Sequence, residues 1–310
     1  MELLSLLFNV LLALLIIVYL FVHRKQQYWK RLNVPYVEPE FFYGNSRGID
    51  KSFPSGLFFR DIYLKHKSKG SIFGVYVYVE PFAIVTNLDL IKTIMVKEFN
   101  TFPSRGTYHN EEDDPVSASL LNVEGRKWHR LRNKLSPTFT SGKLKMMFST
   151  IVEVSDKFIE RIEKETEATG QLEIKDILSR FTTDVIAKTA FGIECNSLDD
   201  RETAFYKIGL RAFSTANFLK RLIVTKYQNL ARKFHITTSD KEVSDFYRDV
   251  VEQTVKYRDE NNIQRNDFMN LLMNTRNTSD PLTFNEIWAQ SVVFILAGYE
   301  TSSTALTYTL

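Results

Sequence analysis

Residues 283–310 read TFNEIWAQSVVFILAGYETSSTALTYTL and carry the clearest structural signal in the sequence. Thr283 is followed three positions later by Glu286, which is the spacing of a capping box at the start of a helix. No charged residue occurs from Ile287 to Tyr299. This pattern predicts a long helix that is mostly buried.

The segment Ala297-Gly298-Tyr299-Glu300-Thr301 interrupts this apolar helix. A glycine inside a helix costs about 1 kcal/mol relative to alanine, so Gly298 indicates that something bulky approaches the backbone. Glu300 and Thr301 place an ionisable group and a hydroxyl beside that gap, which could form a route for protons. A second membrane-spanning helix is the alternative, but Glu300 and the many Ser and Thr residues after it favour a buried helix in a soluble domain.

A second informative segment, EGRKWHRLRNKL, covers residues 124–135. Trp128 and Arg132 are four positions apart and lie on one face of the predicted helix. Their indole N–H and guanidinium could bind a carboxylate or a phosphate. The other cations, Arg126, Lys127, Arg130 and Lys134, would form a basic surface around them. A solvated cationic helix with Trp128 in the core explains the same pattern.

The rest of the chain is predicted to be mainly α-helical with one small antiparallel β element. Phe73–Val79 and Phe82–Val85 alternate β-branched and aromatic residues around a Glu80-Pro81 turn, which indicates a hairpin. Asn87 can cap a helix that runs to about Phe99. Helical spacing predicts further helices over residues 125–135, 142–167, 173–191, 201–214, 238–261 and 266–275. Residues 40–310 are interpreted as one continuous domain.

The N-terminal region, residues 1–22, is predicted to be a transmembrane signal anchor. Leu3–Val22 is uncharged, and twenty helical residues span roughly 30 Å, the thickness of the hydrocarbon core. A cleavable signal peptide is the alternative, but the positive residues follow the apolar run and no small-x-small cleavage site ends it. The positive-inside rule then places the following chain in the cytosol, where the sequon at Asn277 stays unmodified.

Residues 23–39 form a basic hinge in which Pro35 and Pro39 favour a stiff extended arm. Residues 216–234 mix apolar and basic side chains. This stretch could contact a membrane surface or be an ordinary surface helix, and the sequence does not separate the two.

Composition limits the remaining possibilities. A charged fraction of 25% and an apolar fraction of 44% are typical of a globular protein and exclude wholesale disorder. Cys195 is the only cysteine, so an intramolecular disulfide and a four-thiolate metal site are impossible. The five histidines have no metal-ligand spacing; they are His23, His66, His109, His129 and His235.

Taken together, the anchor, the proline hinge, the Trp-x-x-x-Arg helix and the Ala-Gly-x-Glu-Thr helix have the order and spacing of the cytochrome P-450 superfamily. The chain resembles its microsomal, xenobiotic-metabolising clan, and the insect members most. The segments that carry this resemblance are NEEDDPVSASLL (110–121), KLSPTFTSGKLKMMF (134–148), FTTDVIAKTAFGIECNSL (181–198) and RNDFMNLLM (265–273). The implied fold is the N-terminal portion of the P-450 fold, ending inside its long central helix on the distal side of the heme.

The resemblance implies roles for individual residues. Trp128 and Arg132, with Arg105 as a further partner, match the residues that bind the heme propionates. Ala297, Gly298, Glu300 and Thr301 match the oxygen-activation segment, in which Gly298 leaves room for dioxygen and Glu300 and Thr301 relay protons. The substrate pocket would be lined by residues 107–121, 205–215 and 293–297.

The same resemblance implies the protein's partners and location. A lipophilic small molecule is the substrate, and an NADPH-dependent flavoprotein reductase docks on the basic helix to supply electrons. The endoplasmic reticulum membrane holds the protein through a single N-terminal span, with the catalytic domain in the cytosol. No nucleic-acid partner is expected.

The sequence departs from the family pattern in one respect that matters for mechanism. The Glu-x-x-Arg helix, the Pro-Glu-Arg-Phe-like segment and the Phe-x-x-Gly-x-Arg-x-Cys-x-Gly heme loop are absent from these 310 residues. The heme loop supplies the thiolate that drives O–O cleavage. Cys195 lies in a different family motif and is interpreted as structural. The sequence is therefore expected to be C-terminally truncated, to be inactive alone and not to retain heme.

Two alternative functions remain. One is a genuine short product that binds neither iron nor oxygen. The other, of a different class, is a membrane-tethered protein whose basic helix binds nucleic acid or acidic lipid, which leaves the Ala-Gly-x-Glu-Thr segment unexplained.

Overall fold

The computed structural model describes residues 2–48, 54–213 and 218–310. They form two compact units, an N-terminal unit of Met1–Pro103 and a C-terminal unit of Ser104–Leu310. The sequence predicted one domain from residue 40 onward, and this domain organisation stays a prediction.

The N-terminal unit contains four helices and one hairpin among its described residues. In chain order they are α1 (Glu2–Gln26), α2 (Tyr28–Arg31), α3 (Ser55–His66), β1 (Ile72–Val77), β2 (Glu80–Val85) and α4 (Leu88–Lys92), which a π-helical turn extends over Thr93–Lys97. Asn87 caps α4 as predicted, because its side chain accepts a hydrogen bond from the Leu90 N–H at 2.8 Å. Helix α3 was not predicted.

The hairpin forms as predicted, but its turn is elsewhere. Val77 pairs with Glu80, so the turn consists of Tyr78 and Val79, and the predicted Glu80-Pro81 turn is wrong. Pro81 lies inside β2 opposite Tyr76. A proline is tolerated there because β2 is an edge strand, and the missing N–H faces away from β1.

The proline arm is extended, as predicted, and adds to the hairpin. The Gly74 N–H donates to the Pro35 carbonyl at 2.7 Å, and the Val37 N–H donates to the Gly74 carbonyl at 2.9 Å. Trp29 of α2 covers Gly74 so closely that a β-carbon there would lie 2.3 Å from the indole ring. The indole N–H donates to the Val75 carbonyl at 3.1 Å, which fixes α2 on β1.

The described residues of the C-terminal unit form helices and the loops that connect them, without a strand. Its helices are α5 (Gly125–Leu135), α6 (Ser141–Thr169), α7 (Ile174–Phe191), α8 (Ala204–Ala212), α9 (Phe218–Lys226), α10 (Gln228–Lys233), α11 (Lys241–Glu260), α12 (Phe268–Asn274) and α13 (Phe284–Thr309). The prediction of a mainly α protein with a small antiparallel β element is confirmed. The stretch 216–234 divides into α9 and α10 at Tyr227, and its residues 216 and 217 lie outside the described chain.

The core of this unit forms around α13, which packs along α7. Ile287, Val292 and Ile295 of α13 are almost completely buried, together with Leu131 of α5 and Tyr247 of α11. At one edge of the core, Arg258 and Asp267 form a buried ion pair with two hydrogen bonds, at 2.8 Å and 2.6 Å. This packing fixes the orientation of α13, and therefore the direction in which each residue of its glycine segment points.

Candidate functional site

The first turn of helix α13 is attached to α5 by a hydrogen-bonded ion pair. The predicted capping box is confirmed, since the Glu286 N–H donates to Thr283 Oγ1 at 3.2 Å and the Thr283 N–H donates to Glu286 Oε2 at 2.9 Å. The second carboxylate oxygen of Glu286 accepts from Arg130 Nη1 at 2.7 Å. The Glu286 carboxylate therefore both caps the N-terminus of α13 and bonds it to α5.

A cavity of about 450 Å³ opens on the side of α13. The three segments assigned to the substrate pocket all contribute to its wall, the first through Val116 and Leu121, the second through Phe213, and the third through Val293, Leu296 and Ala297. Residues around the start of α11 also line it, and sequence reasoning missed them because they carry no distinctive motif; they are Thr238, Ser239, Asp240, Val243 and Ser244. Most of the remaining wall is apolar or carries hydroxyl groups.

Ala297 and Thr301 lie in the wall of this cavity. Residues four apart share one face of a helix, which explains why both side chains point in the same direction. Both are exposed, and the Thr301 hydroxyl donates to the Ala297 carbonyl. Of the residues predicted to activate oxygen, these two are the ones that the structure brings to the cavity.

Glu300 points to a different side of α13, toward α7. Lys175 Nζ contacts Glu300 Oε1 at 3.0 Å, Ser303 Oγ at 2.9 Å and Thr304 Oγ1 at 2.7 Å. Glu300 is thus held in an ion pair rather than next to the Thr301 hydroxyl. Lys175 was not singled out from the sequence, since its partners are more than a hundred residues away.

Gly298 also faces α7. A β-carbon at this position would lie 2.7 Å from Cδ1 of Ile186 and 3.1 Å from its Cγ1. The predicted close approach to the Gly298 backbone is therefore present, and the group that approaches is the Ile186 side chain.

A wider surface crevice of about 750 Å³ lies between α8 and α11. None of the predicted heme-binding or oxygen-activating residues lines it, whereas Lys207, Ile208 and Arg211 of the predicted segment 205–215 do. Its charged walls are paired, for example Arg211 with Asp240 at 3.1 Å and with Glu242 at 2.7 Å. The cavity beside α13 is the better candidate for an apolar ligand.

The cations of α5 divide into two groups. Lys127 pairs with Glu111, Arg130 with Asp280 and Glu286, and Lys134 with Asp280. The expected continuous basic surface around Trp128 and Arg132 is therefore wrong for these three residues, because carboxylates outside α5 neutralise them.

Arg132 belongs to the other group. It is exposed, and its guanidinium has no ion-pair or hydrogen-bond partner in the part of the chain that the structure describes. Trp128, one turn earlier, packs its ring against the main core. Neither side chain lines the cavity beside α13.

Arg105 connects the cavity to the start of α5. Its Nη1 donates to the Leu121 carbonyl at 3.3 Å, and Leu121 lines the cavity. The N–H of Gly106 donates to Glu124 Oε1 at 2.9 Å, immediately before α5. Arg105 is exposed, so its guanidinium retains donors for a further acceptor.

Cys195 lies away from this site. Its side chain packs against the main core and does not line the cavity. Burial raises the pKa of the thiol well above its usual range, and the neighbouring Asp184 raises it further. These surroundings oppose formation of a thiolate.

The family model for cytochrome P450 matches residues 35–310. The chain belongs to the cytochrome P450 family. The long α13 with its glycine segment and the small hairpin are thus the N-terminal part of the P450 fold, as the sequence predicted.

Several insect proteins are similar to this P450 chain. Cytochrome P450 6a9 of Drosophila melanogaster is 41% identical over 318 residues, covering 98% of this chain and 63% of the relative. Probable cytochrome P450 6a20 of the same fly is 40% identical, covering 94% and 60%. Cytochrome P450 6A1 of Musca domestica is 39% identical, covering 94% and 58%. The chain therefore spans about three fifths of the length of these relatives.

Proposed function

We propose that this chain is the membrane-anchored, distal-side portion of a heme-thiolate monooxygenase. The enzyme would insert one atom of O₂ into a lipophilic substrate, with electrons from an NADPH-dependent flavoprotein reductase. The observation that carries the proposal is the apolar cavity whose wall contains Ala297 and Thr301. Its three predicted segments come from distant parts of the sequence and meet at one place.

The residues present fit a heme with respect to its propionates. Arg132 offers an exposed guanidinium without a carboxylate partner in the described chain, on the helix where three neighbouring cations are already neutralised. An unpaired guanidinium is suited to bind a carboxylate through two hydrogen bonds. We assign Arg132 and Trp128 to one propionate and Arg105 to a further contact. Bound heme would supply the iron chemistry that activates dioxygen.

In this proposal, Thr301 is the residue closest to the substrate that can accept and donate a proton. Its hydroxyl proton is held by the Ala297 carbonyl. Glu300 can deliver a proton toward Thr301 only after it separates from Lys175 Nζ, which it contacts at 3.0 Å. Lys175 therefore acts as a positioning residue that holds the Glu300 side chain turned away from the cavity. Gly298 has no β-carbon that would clash with Ile186, so α13 can pack closely on α7 at this position.

None of the residues described above can supply the thiolate that would be the axial ligand of the heme iron. Cys195 is the only thiol of the chain, and its buried surroundings are unsuited to a thiolate ligand. We propose that a downstream cysteine provides the ligand and that the 310-residue chain alone is inactive and does not retain heme.

The proposed location is the endoplasmic reticulum membrane, with α1 as the anchor and the rest of the chain in the cytosol. Helix α1 is long and apolar enough to span a bilayer. Reductase docking on α5 would depend on cations that have no carboxylate partner among the described residues, such as Arg126. Charge complementarity there mainly increases the encounter rate. The pairing of Lys127, Arg130 and Lys134 weakens the alternative of a basic helix that binds nucleic acid.

Two measurements test this proposal. The reduced, carbon-monoxide-bound spectrum of the 310-residue chain should lack a thiolate-type Soret band, and its presence would overturn the assignment of Cys195. Sequencing the message past codon 310 should reveal a Phe-x-x-Gly-x-Arg-x-Cys-x-Gly loop. An immediate stop codon in independent clones would favour a genuine short product without heme.

The propionate assignment is tested in the extended product. Arg132→Ala should lower the heme content per protein, because it removes the donor for a propionate. Arg126→Ala is the matched control, since it removes an exposed cation from the same helix. Equal heme content in the two variants would refute the assignment.

A further inference from the structure

Gln290 is a buried polar residue in the first half of α13. Its side chain is inaccessible to solvent, and its Oε1 atom accepts a hydrogen bond from the Leu120 N–H at 2.9 Å. The Nε2 atom has no hydrogen-bond partner in the part of the chain that the structure describes. Burying an amide whose N–H groups are unpaired costs free energy, which a methionine or leucine of similar size would avoid. The contact with Leu120 is therefore the feature that distinguishes glutamine from an apolar residue at this position.

The Leu120 N–H belongs to a segment that lies across α13. We call residues 115–121 the covering segment. Its first turn, Pro115–Ala118, packs on α13, and Ala118 is almost completely buried. Among the described residues, the bond between Gln290 and Leu120 is the one hydrogen bond that joins the covering segment to α13. The position of this segment on the helix therefore depends on one side-chain oxygen together with apolar packing.

The bond with Gln290 holds the part of the covering segment that lines the cavity beside α13. Ser119 and Leu121, the two neighbours of Leu120, both lie in the cavity wall. Leu120 itself packs against the main core. Because the three residues are consecutive, fixing the backbone N–H of Leu120 also restricts the movement of both neighbours. One hydrogen bond thus stabilises this part of the cavity wall.

Gln290 also lies at one end of the cavity. Val292 is the first α13 residue in the cavity wall, and Thr301 is the last. Gln290, Ala297 and Thr301 are separated by seven and four residues, close to two turns and one turn, so they share one face of α13. On this face Ala297 and Thr301 are exposed in the cavity, whereas Gln290 is covered. The covering segment therefore closes the cavity about 10 Å along the helix from Ala297.

We propose that Gln290 is a positioning residue that sets the length of the substrate cavity. By holding Leu120, its Oε1 atom keeps the covering segment in place as the end wall of the cavity. The enzyme would then accept lipophilic substrates only up to a certain length, because a longer molecule has to displace this segment. The inference rests on the proposed function, in which this cavity binds the substrate.

Hydrogen exchange of the 310-residue chain tests the contact itself. The Leu120 amide should exchange more slowly than the Leu121 amide, which has no hydrogen-bond partner among the described residues. Gln290→Met keeps the size of the side chain and removes the oxygen, so exchange at Leu120 should become about tenfold faster or more, while the amides of α7 keep their wild-type rates. Gln290→Glu retains an acceptor oxygen and should restore slow exchange. Fast exchange at Leu120 in the wild type would overturn the proposal without any variant.

Probes of graded length test the consequence for ligand binding. Dansyl n-alkylamines from hexyl to tetradecyl report binding by their fluorescence, and each further methylene group should increase the affinity until the end wall is reached. In Gln290→Met this limit should move to longer chains. A probe two methylene groups beyond the wild-type limit should bind this variant about tenfold more tightly than it binds the wild type. The hexyl probe should bind both chains equally, and Gln290→Glu should keep the wild-type limit.

Ser291→Ala and Leu296→Trp are the matched controls. Ser291 is as buried as Gln290 and its hydroxyl is also unpartnered among the described residues, so Ser291→Ala should keep the wild-type length limit. Leu296 lines the cavity, and Leu296→Trp should weaken the binding of every probe. If Leu296→Trp weakens binding but Gln290→Met leaves the length limit unchanged, the proposal is overturned and the cavity remains a ligand site. If no probe shows binding that Leu296→Trp weakens, the proposed function itself is contradicted, and this proposal with it.

Discussion

Gly298 lies where α13 packs on α7, and Ile186 occupies the space that a β-carbon would take. The family resemblance predicts a role for this glycine at the heme, and the structure shows that it packs against Ile186. A methyl group at position 298 would have to displace the Cδ1 atom of Ile186, which is the end of a flexible side chain. The two roles can be separated by changing Ile186.

We expect the effect of Gly298→Ala to depend on residue 186. In the wild-type background, the contact with Cδ1 offsets the gain in helix propensity. In an Ile186→Val background, which removes Cδ1, Gly298→Ala should raise the free energy of unfolding by about 0.5–1 kcal/mol. Urea denaturation of the four chains of the double-mutant cycle measures this. A destabilisation by Gly298→Ala in both backgrounds would contradict the packing explanation.

At the scale of the elements, α6 and α7 are joined by a buried arginine. Arg180 of α7 is completely buried, and its guanidinium contacts Glu165 of α6 at 2.8 Å and the Leu198 carbonyl at 2.6 Å. Burial alone would raise the pKa of Glu165, but hydrogen bonds from Arg180 and Arg161 outweigh it and lower the pKa below the ordinary 4.5. The helix pairing therefore depends on an ionised Glu165.

This lowered pKa predicts a pH dependence. A carboxyl group with a lowered pKa in the folded state stabilises the protein above its unfolded pKa, and this stabilisation is lost as the pH falls through the folded value. Between about pH 5 and pH 3, the wild type should lose more stability than Glu165→Gln, which cannot titrate. Urea midpoints at several pH values measure the difference. The exposed Glu163→Gln controls for removing one glutamate from α6, and parallel curves for wild type and Glu165→Gln would contradict the prediction.

At the scale of the whole molecule, the orientation of the chain in the membrane can be read from one sequon. Asn277 is exposed and begins Asn-Thr-Ser, so it could be glycosylated if it reached the lumen. If α1 is a signal anchor, as proposed, we expect the basic residues after it to keep Asn277 in the cytosol.

Translation into microsomes tests this orientation. The native chain should show no mobility shift that an endoglycosidase removes. A chain in which a cleavable signal sequence replaces α1 should show the shift, and Asn277→Gln should abolish it. Glycosylation of Asn277 in the native chain would place the C-terminal unit in the lumen and rule out the proposed topology.

The sequence by itself determined the features that depend on neighbours within a few residues. The capping box of Thr283 and Glu286, the cap at Asn87, the extended proline arm and most helix positions follow from local spacing. The hairpin turn was placed wrongly because Glu80-Pro81 is a good local turn, while the contacts of Tyr78 with the distant Tyr43 and Ser46 select another one.

Only the tertiary structure decided which way the site residues point and which charges remain free. Glu300 and Thr301 are adjacent in sequence, yet one pairs with Lys175 and the other lines the cavity. Arg130 and Arg132 are two residues apart, yet the first is bound by Asp280 and Glu286, and the second is unpaired among the described residues. The physical reason is that these partners lie more than a hundred residues away along the chain, so the packing of the helices determines them and no local pattern encodes them.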